Sequence, residues 1–227
     1  MKKGFFTAAA VLIPLLAPVN CTTGIAGNDP GGSEITNGKV LTRAGSPAGG
    51  VTVAAYPLSY IAEHSSMSTV VTAETGDDGI FTLAIDSGSY NLFIIDSSSA
   101  SGCAIRNVGP KTGLGILRLD SLGTIEGVIR TDSSSAAATL IIYSQGTPFR
   151  INSASADGRF RFIHVPPGSY PLTVAKKPKV GCIPGIDCLP GGGTPGKEGE
   201  IGSATVLSGE TVVINTSVTV ENLKELH

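Results

Sequence analysis

The sequence predicts an all-β chain folded as two tandem seven-stranded β-sandwiches. Three observations carry that expectation. Apolar residues alternate with polar ones at period two after each of two Asp-Gly dipeptides, as in strands with one buried face. The pattern occurs twice, at DDGIFTLAIDSGSYNLFI (77–94) and at ADGRFRFIHVPPGSYPLTV (156–174). Finally, 30 Gly and 14 Pro in 227 residues supply the turns that many short strands need.

In the second copy Asp157-Gly158 makes a tight turn, because Gly takes positive φ freely and Asp bonds back to the local backbone. Phe160 and Phe162 then share one face, and Arg159 and Arg161 the other. Pro166-Pro167-Gly168 reverses the chain, and Tyr170, Leu172 and Val174 point inward again. In the first copy Asp78-Gly79 is the turn, with Phe81, Leu83 and Ile85 inward, then Tyr90, Leu92 and Ile94. A metal-ligand role for Asp78 or Asp157 is the rival reading. Turn chemistry is the stronger one, because no carboxylate cluster surrounds either.

This hairpin resembles the carboxypeptidase regulatory-like domain, a prealbumin-like or carbohydrate-binding-like β-sandwich. The pattern is a Gly-containing first strand, then DG-x-F-x-F, a Pro-Pro-Gly turn and Y-x-L-x-V. Asp157, Gly158, Phe160, Phe162, Pro166, Pro167, Gly168, Tyr170, Leu172 and Val174 match it. The first copy departs, with Asp86-Ser87 in place of the prolines. Opening strands fit at Asn37-Gly38-Lys39-Val40 and at Gly123 to Ile129. The resemblance implies the prealbumin-like fold over roughly residues 35 to 220. It implies little about function, because the same sandwich serves as spacer, binder and accessory module.

Taken in order, residues 1–20 read as an export signal. Lys2 and Lys3 precede the apolar run Phe5–Val19, which is short and interrupted by Pro14 and Pro18. Cys21 closes it, and the segment resembles a bacterial lipoprotein signal, which implies acylation of the Cys21 thiol. Pro18 and Asn20 depart from the usual residues before such a cysteine. The alternative is ordinary cleavage, with Cys21 left as a thiol or disulfide partner. Residues 21–34 read as a flexible tether with an r.m.s. span of roughly 20 Å.

The first sandwich is expected over 35–122. Between Gly38 and Gly79 it carries about ten more residues than the second copy does between Gly127 and Gly158. The extra stretch includes Tyr60 and His64, a possible binding loop on a rigid scaffold. The plainer reading is a longer hairpin turn. The second sandwich is expected over 123–220, abutting the first with only a turn between them, and residues 221–227 form a polar tail. Cys182 and Cys188 sit in a Gly/Pro-rich loop. In an exported chain such a pair reads as a small disulfide loop. Zinc is the weaker rival, with one pair and no nearby His. Cys103 is then the odd cysteine, by default a buried strand residue, with a bridge to Cys21 open if that thiol is not acylated.

No enzyme is expected. The sequence has no Gly-x-Ser-x-Gly elbow, phosphate loop or His-Glu-x-x-His, and His64, His164 and His227 are scattered. Neither cofactor nor metal is expected. A net charge of −2 offers no basic field for nucleic acid. The expected role is a non-catalytic structural or protein-interaction module of the cell envelope, periplasm-facing or at the surface. Its expected partners are the membrane, through a lipid anchor, and an unidentified envelope protein or glycan. A carbohydrate-binding module is the alternative. The absence of Trp weighs against it, because flat aromatic rings are what stack on sugar faces.

Overall fold

The computed structural model describes residues 35–62, 69–132, 140–151, 157–176 and 199–219, together with Leu223. Among them the first unit contributes β1 (Ile35–Leu41), β2 (Thr52–Pro57), β3 (Val71–Glu74), β4 (Ile80–Ala84), β5 (Tyr90–Asp96), β6 (Ser101–Val108), β7 (Gly113–Arg118) and the short β8 (Asp120–Ser121). The second contributes β9 (Gly123–Thr131), β10 (Leu140–Tyr143), β11 (Arg150–Ile151), β12 (Arg159–Val165), β13 (Gly168–Lys176), β14 (Gly199–Val206) and β15 (Thr211–Val218).

Each unit is a pair of facing sheets with one connectivity. In the first, β4-β1-β7 faces β3-β2-β5-β6-β8; in the second, β12-β9-β15 faces β11-β10-β13-β14. The closing strand runs parallel to the opening strand in both, β7 beside β1 and β15 beside β9. The other ladders are antiparallel. The fold is therefore all-β, and its halves are related by internal pseudo-symmetry. The first core gathers Val40, Val53, Phe81, Leu83, Leu92 and Leu117 between its sheets, all essentially inaccessible to solvent. The second gathers Ile125, Ile129, Leu140, Phe160, Leu172 and Val174.

The duplicated turn has a physical reason for its glycine. Gly79 and Gly158 both take positive φ, 77° and 79°. Each carbonyl accepts a hydrogen bond from the opening strand, Val40 N at 2.8 Å and Ile129 N at 2.9 Å. A Cβ on either glycine would run into a backbone oxygen of that strand, Val40 O or Ile129 O. The opening-strand glycine is equally constrained. Gly38 pairs with Phe81, and Gly127 with Phe160. The rings lie so close that a Cβ would meet Phe81 Cε1 at 2.9 Å and Phe160 Cε1 at 2.8 Å. In both units the glycine leaves room for the first phenylalanine after the turn. The Pro166-Pro167-Gly168 reversal is pinned by the buried Tyr170 hydroxyl, which donates to the Pro166 carbonyl at 2.8 Å.

Two features depart from simple alternation. Asp120-Ser121 adds a fifth strand to the first unit's larger sheet, on β6. Strand β5 is buried along both faces from Tyr90 to Ile94, because the second unit packs on the side away from the first core.

Candidate functional site

A cluster of aromatic side chains and one arginine lies where the units meet. Period two turns Leu92 and Ile94 of β5 into the first core and leaves Asn91 and Phe93 on the opposite face. Phe93 is only 2% exposed and belongs to the core of the second unit. Its ring stands edge-on to Phe149 (5.7 Å, 81°) and to Tyr56 (5.6 Å, 84°), and near Tyr170 at 6.4 Å. Arg106, on β6, lays its guanidinium over the Tyr170 ring, 4.7 Å from the centroid, and 5.7 Å from that of Phe93. Its Nη2 donates to the Ser169 carbonyl at 2.9 Å. Asn91 Nδ2 donates to the Gly146 carbonyl at 2.9 Å, while Asn91 Oδ1 accepts from Asn107 N.

Electrostatics follow from this burial. Desolvation pulls the Arg106 guanidinium below its ordinary range, against an opposing effect of Tyr170. Burial pushes the Tyr170 phenol well above the usual tyrosine value, with Arg106 acting the other way. Tyr56 is raised by burial and then by its neighbour Tyr60. These phenols stay protonated at neutral pH. The cluster holds a stacked cation, a hydrogen-bonded hydroxyl and apolar rings, which is the equipment of a lock between two bodies.

The linker region adds to the lock. Gly209 N donates to Ser121 O, Ser208 Oγ to Asp120 Oδ1 at 2.5 Å, and Arg43 pairs with Asp120 at 3.6 Å. Only Leu122 separates β8 from β9.

Tyr60 is 3% exposed, with its ring 5.1 Å from Tyr56 in tilted contact. Its carbonyl accepts from Gly146 N at 2.7 Å, Ile61 bridges to Thr147, and the Ala62 carbonyl accepts from Arg150 Nη1 at 2.7 Å. The described start of the inserted stretch is thus stitched to the second unit's Ser144–Arg150 turn. One side of Tyr60 also borders a shallow cleft of about 440 Å³ with Pro57, Thr69, Asp86 and Tyr90. His64, Cys21, Cys182 and Cys188 lie outside the described residues.

Cys103 corrects one expectation. It is 2% exposed, as a buried strand residue should be, but it is disulfide-bonded rather than the odd thiol. The chain has four cysteines. With Cys103 bonded within it, acylation at Cys21 and a Cys182–Cys188 bridge exclude one another by count.

The smaller sheet of the second unit carries a surface groove of about 390 Å³ on its outer face, between Glu126, Arg159, Arg161, Val213 and Asn215. Arg161 and Glu126 face each other across the ladder at 3.7 Å. Val213 is 58% exposed there. Among the described residues no three His, Cys, Asp or Glu side chains are grouped to hold a metal ion. Among the described residues there is no helix long and apolar enough to cross a membrane.

Sequence reasoning missed Phe93, Arg106 and Asn91. The available signal was the run Tyr90–Ile95, YNLFII, which is too apolar for a strand with one solvated face.

Fold and site together define a tandem β-sandwich locked at its joint. No protein-family model matches the chain, and no curated protein matches it. Solved structures similar to it include the Bacillus anthracis TIE protein, at 14% identity and TM-score 0.27, covering 82% of this chain and 33% of that one. A streptococcal ancillary pilin is similar at 12% identity and TM-score 0.31, covering 80% and 61%. The shaft pilin SpaA from Lactobacillus rhamnosus GG is similar at 9% identity and TM-score 0.25, covering 80% and 96%. The chain thus spans about a third of the TIE protein and about three fifths of the ancillary pilin. The fold assignment rests on sheet order and register, not on these likenesses.

Proposed function

We propose that this chain is a non-catalytic module of the cell envelope, exported and lipid-anchored through Cys21, in which two carboxypeptidase regulatory-like sandwiches act as a stiff structural or protein-interaction element. The observation that carries the reading is the joint. A binding domain on a flexible string has no need to bury Phe93 in its neighbour's core or to stack Arg106 on Tyr170. A spacer that holds a surface at a fixed attitude does. The positive n-region, apolar run and Cys21 support export and anchoring.

The test is labelling in cells with a fatty-acid probe, followed by membrane fractionation. Wild type takes the label and pellets with membranes; Cys21→Ser does neither. An unlabelled, soluble wild type refutes the anchor. Small-angle scattering tests the stiff element separately: one conformation of the paired units should fit the data, and an ensemble of separated units refutes it.

A further inference from the structure

Every open β-sheet leaves edges whose unpaired N–H and C=O groups invite another strand, and proteins blunt them with charge, proline, bulges or brevity. The edges among the described residues are guarded in these ways, with one exception. Strand β12 carries Arg159 and Arg161 and a register break at His164, where φ is 57°. Strand β7 has a register break and Gly115 at φ 65°, and β14 carries Glu200, a register break and Gly202 at φ 128°. Strands β3, β8 and β11 have four residues or fewer. Strand β4 has five, and lies between Asp78 and Asp86.

Strand β15 is the exception. It runs eight residues, TVVINTSV, without charge, proline or glycine, and pairs with β9 in unbroken register. Its ladder begins with Thr124 N donating to Glu210 O. Parallel pairing then turns the backbone groups of Val212, Ile214, Thr216 and Val218 toward β9. Those of Thr211, Val213, Asn215 and Ser217 point away, and among the described residues no strand pairs with them. The sandwich is also incompletely closed here. Val212, Ile214 and Val218 pack against the second core yet are only partly buried, whereas Leu114 and Leu117 of the corresponding β7 are 4% and 0% exposed.

We infer that β15 pairs with β15 of a second copy of this chain, antiparallel, to give one continuous sheet in the order β12-β9-β15-β15-β9-β12. The strand is electrostatically compatible with itself. It carries no charge, so a copy can lie against it without repulsion, whereas self-pairing of β12 would bring arginines together. A two-fold axis at Ile214 matches every outward residue, Thr211 with Ser217 and Val213 with Asn215. It also sets Ile214 against its twin, covering the partly exposed side of the core. The interface is isologous and closes, leaving the guarded β12 edges at the ends.

This goes beyond the envelope reading and does not depend on it, since sedimentation is blind to anchoring. The test is sedimentation equilibrium of the full chain in density-matched detergent. Wild type should show a concentration-dependent monomer–dimer equilibrium. Asn215→Pro removes an outward N–H and no ladder bond; Val213→Lys adds charge at an exposed site. Each should weaken the dimer at least about tenfold while thermal unfolding of the monomer holds. Should Asn215→Pro not fold, Val213→Lys decides. Mild oxidation of Ile214→Cys should yield a disulfide-linked dimer, and of Val212→Cys none. Three results overturn the inference: a wild type monomeric up to about 1 mM, a dimer indifferent to both edge variants, or a monomer whose edge takes up a foreign strand instead.

Discussion

Truncating Phe93 to alanine is the sharpest test of the joint. The side chain sits at the seam, 2% exposed, with edge-on contacts to Tyr56 and Phe149 and with Arg106 near its face. Phe→Ala in a packed core costs about 3–5 kcal/mol, from lost transfer free energy and the cavity left behind. Here the walls of that cavity come from two sheets that each have their own core to hold them, so collapse is limited and about 4 kcal/mol is expected. For a chain of this size that lowers the melting temperature by about 8–16 °C. The loss also falls on the contact that couples the units, so one unfolding transition should split into two. Calorimetry reads both effects, through the shift and through the ratio of calorimetric to van't Hoff enthalpy. Ile80→Ala, at a site 48% exposed on the outer face of the first unit, is the control and should move stability by no more than about 0.5 kcal/mol. A Phe93→Ala loss below about 1.5 kcal/mol, with a single transition retained, refutes the claim that the units share a core through this ring.

Other outcomes follow from the same geometry. Gly127→Ala drives a methyl into the Ile214 carbonyl and toward Phe160; with backbone on one side it should cost more than about 3 kcal/mol in urea denaturation, and little loss would mean that the opening strands pack more loosely. Tyr170→Phe leaves the Pro166 carbonyl without its donor and should cost about 1–3 kcal/mol. Burial raises the Tyr170 pKa in the folded state, so its contribution is complete below the unfolded value of about 10 and is lost as pH rises above it. Melting between about pH 9 and pH 11.5 should therefore fall more steeply in wild type than in Tyr170→Phe; parallel curves would contradict this. Peptide mapping of unreduced protein should find Cys103 in a cross-linked fragment. Acylated Cys21 in the same molecules should leave one of Cys182 and Cys188 alkylatable; finding those two joined to each other instead would show Cys21 to be unacylated.

Much of the architecture was written in short-range pattern. Asp-Gly followed by F-x-F and F-x-L fixes a turn and a strand face locally, and the duplication predicts equivalent halves, which the repeated sheet order bears out. The glycines at 38 and 127 stood out in the sequence only as part of a resemblance; why they are glycine emerged only with the phenylalanine rings lying over them. The joint was less legible. Phe93 alternates correctly for its strand, and the one local hint that its face meets a neighbouring sheet rather than water is the apolar run Tyr90–Ile95. Tyr60 shows the same limit: an aromatic in an inserted stretch looks available until Tyr56 and Gly146 are placed against it. Cys103 belongs with these, because a bond partner distant in sequence leaves no trace in local periodicity.

The passage from β8 to β9 through Leu122 alone has a mechanical consequence. With Arg43, Asp120, Ser121, Ser208 and Gly209 bonded around that passage, the passage itself is braced and is not built as an elbow. A pull or twist on one sandwich travels through backbone and ladders to the other, so the pair moves as a lever. The far sandwich therefore inherits its orientation from the near one.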